Sequence, residues 1–413
     1  MPRSGPFGPA EHAVSKFAFS SSLSPIEGYV QGLIQDRDLG PDVVAHRIVP
    51  PVPGRTVPLQ GPLSDSVADL VRQAGVEALY VHQAEGIAHV LAGRNPVLAT
   101  PTASGKSLVY NASFLEARLS GPEARALYVF PLKALAQDQL KTFTSLTEPM
   151  AEANRPDAAT YDGDTGPSER TLIRRRPPAV VFTNPEMIHL SFLAHHQAWK
   201  TFFQNLRLVV LDEVHTYRGI LGSNMAWVFR RLLRVCSHYG SSPCFVFCSA
   251  TIANPAELCS SLSGLPVQAV TESTAPSPKK HFLLVNGQGR TSSRALRMLH
   301  SALVRQVRTI VYTQSRKMAE LISLWAGQRD RSLRRLVSPY RAGFLAEERR
   351  SIEDRLSRGK LLAVVSTSAL ELGIDIGGLD LCLLVGYPGS IMATWQRAGR
   401  VGRGDFESAT VFI

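Results

Sequence analysis

The apolar run Leu208-Val209-Val210-Leu211 leads straight into Asp212-Glu213-Val214-His215. Two carboxylates and a histidine so placed could ligate a metal, cap a helix, or hold the magnesium of a nucleotide site. A second string, Leu98 to Tyr110 (LATPTASGKSLVY), bears on the choice. It follows a short apolar run and opens a helical pattern, and it ends in Gly105-Lys106-Ser107. Backbone N–H groups at such a turn can cradle phosphates, a lysine can reach the outer phosphates, and a hydroxyl can ligate Mg²⁺. The full phosphate-loop template puts glycine at position 100, where this chain has Thr100. The bland alternative is an ordinary Ser/Gly turn at a helix start. A phosphate loop in a parallel sheet needs an acidic pair at the end of a neighbouring strand, and the Asp212-Glu213 string supplies it. Asp212 would hold the Mg²⁺, and Glu213 would activate the attacking water.

Three further strings gain meaning beside that pair. Ser249-Ala250-Thr251 closes the next apolar run, where its hydroxyls could bond to the acids and report nucleotide state. By the same logic His215 could link the acids to a neighbouring motif. Upstream, Tyr80 offers a ring for stacking and Gln83 an amide for reading an adenine edge. Alone, Gln83 would pass for a solvated helix residue. Near the end of the chain Arg397, Arg400 and Arg403 recur every third residue among Gly399, Gly402 and Gly404. Glycine at helical spacing costs about 1 kcal/mol relative to alanine, so the string implies a close approach. Guanidinium groups brought to a triphosphate would stabilise transition-state charge.

The elements that must position these groups follow from the apolar pattern. Runs such as PVLAT, ALYVFP, AVVFTN, LRLVVLD and CFVFCSA alternate with helical stretches, which predicts an α/β domain with a parallel sheet covered on both faces. The alternation restarts at HFLLV, RTIVYT, LLAVVST and LDLCLLVG. The expected organisation is a Pro/Gly-rich extension over 1–75, a first domain over 76–270, a linker over 271–284 and a second domain over 285–413. The chain has 413 residues, 44% hydrophobic and 19% charged, which excludes a disordered protein. A net charge of +11 favours a polyanionic partner, nucleic acid or an acidic membrane surface. No apolar run reaches the roughly 18 residues of a membrane span, and the first residues carry no signal-like apolar stretch, so the expected location is cytoplasmic. Cys244 and Cys248, with Val246 between them, alternate along a buried strand. Their spacing is far from that of paired zinc ligands, so they read as small core residues.

Together, TPTASGKS, PLKALAQDQ, TNPEMIH, DEVH, SAT, STSALELGIDIGG and QRAGRVGRG occur in the order found in superfamily-two DEAD/DEAH-box helicases. YDGDT, DEVHTYRGILGSN and YRAGFLAEERRSIEDRL resemble the YprA-like branch, the bacterial mitomycin-repair helicases related to the RecQ-like Hrq proteins. The resemblance covers about residues 76 to 413. It implies two RecA-like domains with ATP and Mg²⁺ between them, single-stranded DNA across their tops, and 3′-to-5′ unwinding of duplex DNA in repair.

Carried onto this chain, the nucleotide falls to Tyr80, Gln83, Thr102, Ala103, Ser104, Gly105, Lys106, Ser107, Asp212, Gly373 and Asp375, with Ser107 and Asp212 on the metal. Glu213, Arg400 and Arg403 fall on catalysis, with the arginines as fingers. Pro131, Lys133, Thr183, Asn184, Thr251 and Thr367 lie on nucleic-acid motifs, and His215, Ser249 and Gln396 on coupling. Ala103 stands where a glycine would be usual, which is tolerable only if that position needs no positive φ. Related sequences carry Ala or Ser there, so the site is expected to be active. The family continues into a C-terminal region with a four-cysteine metal site, so the chain, ending in SATVFI, reads as a fragment cut inside a strand of its second sheet. Three other readings stay open: an RNA helicase, a P-loop transporter or signalling ATPase, and an inactive nucleic-acid-binding module.

Overall fold

The computed structural model describes residues 23–329, 333–341, 343–370, 378–402 and 406–413. Two seven-stranded sheets organise them. The first runs in the order Val267–Val270, Asn95–Leu98, Cys244–Cys248, Leu206–Leu211, Arg125–Val129, Val180–Thr183, Ala158–Tyr161, and every pairing is parallel. The second runs Val43–Val49, Lys280–Val285, Ser408–Phe412, Leu381–Leu384, Thr309–Tyr312, Ala363–Ser366, Val337–Tyr340. Only its first pairing, Val43–Val49 on Lys280–Val285, is antiparallel. This is the α/β tandem that the apolar runs predict.

Strands covered on both faces must be apolar at every position, and the runs are continuous for that reason. Along Cys244–Cys248, Val246 and Cys248 face one core while Phe245 and Phe247 face the other. Cys244 packs against the Val246 side, so both thiols lie on one face, as their alternation requires. SATVFI forms a strand between two parallel neighbours.

The expected domain boundaries need correction at the N-terminus. Residues 1–75 read as a separate extension, but from Pro25 onward they are divided between the two domains. Helix Pro25–Ile34 starts at Ser24, whose hydroxyl accepts the Glu27 N–H. It buries Ile26, Tyr29, Val30 and Leu33 in the core of the second domain. Strand Val43–Val49 then adds an edge to the second sheet. Leu59, Leu63, Val67 and Val71 instead belong to a core of the first domain. The reason lies in pairing: a Pro-rich stretch between two apolar segments is a crossing, and each segment joins the nearest unfilled core.

The chain therefore passes between domains twice, and the crossings are bonded to each other. Val52 and Ser277 exchange both backbone hydrogen bonds, at 2.8 and 2.9 Å, and Arg55 N–H donates to the Thr274 carbonyl at 2.9 Å. The second crossing is also shorter than the predicted 271–284, because strand Lys280–Val285 already belongs to the second sheet. Leu33 tests this assignment. Leu33→Ala should cost about 2–5 kcal/mol, the range for an emptied core leucine. Hydrogen exchange should then rise in 280–285 and 408–412 and stay unchanged in 95–98 and 206–211.

Candidate active site

Parallel strands bring their C-terminal ends to one edge of the first sheet, and the chemical groups gather there. The loop after Asn95–Leu98 turns into helix Lys106–Ser120 through Gly105, at φ +78°. A side chain at Gly105 would displace the Gln83 amide, and the left-handed backbone at this position is the firmer reason for glycine. Thr100, in the template's glycine position, is fully buried and bonds through its hydroxyl to that of Ser104 at 2.7 Å. Ala103 overturns an expectation: it sits at φ 61°, so its position does use the left-handed region. An L-residue there costs about 1–2 kcal/mol. Lys106 turns its ammonium onto the loop's own carbonyls, Thr100 and Pro101, both at 2.8 Å. Thr102, half-buried, donates to the carbonyl of Gly399 in the second domain at 3.1 Å, and Ser107 lines the adjoining cleft.

The acidic pair is placed differently from the expectation of a directly neighbouring strand. Strand Cys244–Cys248 lies between the phosphate-loop strand and Leu206–Leu211. That insertion puts Ser249 between loop and acids, its N–H on the Leu98 carbonyl at 3.0 Å. Glu213 itself is left-handed, at φ 51°, and its N–H donates to Asp212 Oδ1 at 2.8 Å. Burial, then the charge of Glu213, pushes Asp212 up to about 7, with Lys106 opposing. Glu213 is also raised by burial, while Lys106 and Arg400 pull it down. Arg400, in the second domain, is 2% exposed, and its charge is near enough to be felt at this carboxylate.

His215 joins the pieces. Its Nδ1 lies 3.4 Å from the Glu213 carboxylate and from the Ser249 hydroxyl, and its Nε2 meets the amide of Gln396 from the second domain. Burial, with help from Arg218 and Lys106, lowers its pKa to about 4. The imidazole is therefore neutral, and its contact with Glu213 is polar and not an ion pair. His215, Ser249 and Gln396, expected to couple, are thus brought together, as are Lys106, Asp212, Glu213 and Arg400. Arg403, Gly373 and Asp375 lie outside the described residues.

The upstream string lines a cleft of about 900 Å³ with Ala103, Gly105, Ser107 and Asn111. Tyr80 stacks on His82 at 5.8 Å. Gln83 does not present a free amide as expected. Its Oε1 accepts the Tyr80 N–H at 2.8 Å and its Nε2 donates to the Gly105 carbonyl at 3.0 Å, so it supports the phosphate loop from behind. His82, between them in sequence, is a functional candidate that the motif reading passed over. Its nearness to Gln83 was the available signal.

Of the expected nucleic-acid contacts, Pro131, Lys133, Asn184 and Thr251 follow strands of the first sheet at the same edge. Lys133 is exposed and pairs with Asp164 at 2.6 Å. Asn184 caps a short turn, accepting the Met187 N–H at 3.0 Å, and Thr251 is exposed. Thr367 is half-buried just past strand Ala363–Ser366. Thr183 is a correction: 1% exposed, it donates its hydroxyl to the Tyr161 carbonyl at 2.7 Å and offers nothing to a backbone outside. It ends a strand flanked on both sides, so its side chain points into the sheet's packing.

Known proteins resemble this chain over most of its length. The family model for DEAD/DEAH box helicases matches residues 80–258, and that for the helicase conserved C-terminal domain matches residues 294–405. The chain is 39% identical over 392 residues to the ATP-dependent helicase YprA of Bacillus subtilis, covering 92% of this chain and 52% of YprA. It is 37% identical to the ATP-dependent helicase HRQ1 of Saccharomyces cerevisiae, covering 88% of this chain and 35% of HRQ1. The crystal structure of the helicase MrfA bound to DNA and AMPPNP superposes with a TM-score of 0.86 at 38% identity, covering 93% of this chain and 54% of MrfA. The chain thus spans about half the length of YprA and MrfA, and about a third of HRQ1. With both domain models matched in order over one continuous tandem fold, the chain belongs to the superfamily-two DEAD/DEAH-box helicases, in the branch of the YprA-like and Hrq1-like proteins.

Proposed function

We propose that this chain is the motor core of an ATP-dependent DNA helicase, moving 3′ to 5′ along single-stranded DNA and acting in DNA repair in the cytoplasm. One observation carries the reading: Gln396 of the second domain bonds to His215 of the first, and the charge of Arg400 acts on Glu213 from the same side. Hydrolysis and relative movement of the domains then depend on the same few contacts. The DNA in the MrfA structure favours DNA over RNA as the track. No helix among the described residues is long and apolar enough to cross a membrane.

Ser107 and Asp212 are the residues that would hold Mg²⁺, and their chemistry fits it: a hydroxyl, and a carboxylate that burial and a like charge hold up to about 7. Bound there with the phosphates, the cation would neutralise charge on the triphosphate. The protein's own groups do the rest. Lys106 leaves the Thr100 and Pro101 carbonyls for the outer phosphates. Water attacks the terminal phosphorus, its proton passes to the Glu213 carboxylate, and the bond to the ADP oxygen breaks. Arg400, buried and of opposite charge to Glu213, stabilises the charge that develops. His215 stays neutral and keeps Glu213, Ser249 and Gln396 in register.

The test is an ATPase assay with single-stranded DNA or RNA of equal length. DNA should stimulate turnover well beyond RNA; equal or greater stimulation by RNA would move the chain to the RNA helicases. Glu213→Gln should bind ATP near normally and lose most turnover, because it keeps the size and loses the base. Lys106→Ala should weaken both. Arg400→Ala should cut turnover by roughly 10³ or more, the scale of an arginine finger, with a much smaller loss of ATP affinity.

The acidic pair also has a stability consequence. A carboxyl whose folded pKa lies above its unfolded value destabilises the fold once ionised, and the penalty grows as pH rises from about 4 toward 7. Asp212→Asn keeps the acceptor for the Glu213 N–H and removes the charge. At pH 8 it should raise the melting temperature of the nucleotide-free chain, by roughly 2–4 °C per kcal/mol recovered, while abolishing turnover. The gain should shrink as the pH falls toward 5.

A further inference from the structure

His82 and Thr274 form a bonded bridge between the phosphate loop and the paired interdomain crossings. The His82 N–H donates to Thr274 Oγ1 at 3.1 Å, and that hydroxyl lies 2.8 Å from His82 Nδ1. The Thr274 N–H also points at Nδ1, at 3.2 Å. On the other side of the ring, Nε2 lies 2.9 Å from the carbonyl oxygen of Ser104. These partners fix the tautomer. A backbone N–H can only donate, so Nδ1 accepts, and a carbonyl can only accept, so Nε2 carries the proton. The Thr274 hydroxyl then takes the His82 N–H and gives its own proton to Nδ1. Both side chains are sealed from water, His82 at 1% exposed and Thr274 at 4%.

Each end of the bridge is attached to something that must change. Ser104 lies two residues before Lys106, whose ammonium is parked on the Thr100 and Pro101 carbonyls of the same loop. Receiving a triphosphate requires Lys106 to leave those carbonyls, which removes two of the bonds that hold the loop in its present form. Thr274 lies in the second crossing, and its carbonyl accepts the Arg55 N–H of the first. The next rungs, between Val52 and Ser277, complete the only backbone pairing between the crossings among the described residues. The described Ser104, His82, Thr274 and Arg55 thus form a continuous polar path in which no step exceeds 3.2 Å.

We infer that His82 and Thr274 are positioning residues that couple occupancy of the phosphate loop to the hinge between the domains. This rests on the reading of the loop as a nucleotide site. It adds a route behind the nucleotide, distinct from the His215–Gln396 contact in front of it. A buried, fully satisfied hydrogen-bond network suits such a task, since it has few alternative arrangements and transmits displacement without slack.

Hydrogen exchange with and without Mg²⁺ and AMPPNP tests it on the full chain, in three forms: unaltered, Thr274→Val and Thr274→Ser. Valine keeps the shape and removes the hydroxyl, whereas serine keeps the hydroxyl. In the unaltered chain, AMPPNP should slow exchange in the loop 100–106 and also at the hinge amides of Arg55 and Ser277. The hinge effect should be about fivefold, the scale of one net hydrogen bond. In Thr274→Val the loop should still respond while the hinge ratio, with and without AMPPNP, falls to one. Thr274→Ser should restore it. A purely structural role would lower the melting temperature and leave that ratio intact, and this outcome overturns the inference. So does a hinge that ignores AMPPNP in the unaltered chain while the loop responds. If the loop itself fails to respond in the unaltered chain, the nucleotide-site reading falls first, and the coupling with it.

Discussion

Two carboxylates side by side at the end of a buried strand form the constraint to which this structure is fitted. Asp212 and Glu213 repel each other and have little water to screen them, so burial raises both. Everything near them is a partial answer to that charge. Lys106 approaches from the phosphate loop, Arg400 from the second domain, and the Glu213 N–H folds back onto Asp212. Glu213 itself also holds a left-handed conformation that glycine would adopt more cheaply. Strain of this kind persists where surrounding contacts over-determine it and where a function requires it. Ala103 is a second case, within the loop that would receive the phosphates. Site and stability pull in opposite directions here, and a cation with a triphosphate is what would reconcile them.

Most of this site is legible in the sequence because its parts are local. Each motif follows a strand buried on both faces, and such strands announce themselves as unbroken apolar runs. The ends of parallel strands must then converge on one edge, so Lys106, Asp212 and Ser249 could be brought together from their order alone. What stayed hidden depends on distant partners or on backbone angles. Strand Val43–Val49 has the half-exposed pattern of a sheet edge and no apolar run, and its partner lies some 235 residues along the chain. Composition made its neighbourhood look like a linker. Thr183 matches a nucleic-acid motif by type, but a hydroxyl's direction is set by packing, and here it points to Tyr161. Gln83 and His82 show the same limit from the other side, since both turn onto loop carbonyls, Gly105 and Ser104, and that depends on how the Tyr80 cap sets the helix.

The routing of the N-terminal segment changes how the two domains should be viewed. A single linker would leave the second domain free to swivel about one strand of backbone. Two crossings that exchange hydrogen bonds at Val52 and Ser277 form a narrow two-stranded link, with fewer free rotations than one strand would have. The N-terminal helix anchors one end of that link by burying Ile26, Tyr29, Val30 and Leu33 in the second core. At Glu407 the anchor is polar as well, where Ser24, Lys279 and His281 meet.

Between the domains, the apolar cores do not merge. Each of the four buried clusters among the described residues draws on one domain only. Among the described residues, polar contacts that cross include Thr102 to Gly399, Gln396 to His215 and Arg218 to the Met392 sulfur, and the charge of Arg400 acts on Glu213. A merged core would have to expose apolar area at about 25 cal/mol per Å² whenever the domains moved apart. Hydrogen bonds exchange for bonds to water when such a boundary opens, at a net cost near 1 kcal/mol each. An interface built this way can open and close on the energy of one nucleotide, and its geometry when closed is set by the direction of its bonds. Beside those side-chain bonds, the paired crossings at Val52 and Ser277 are a backbone link between the domains that does not depend on them.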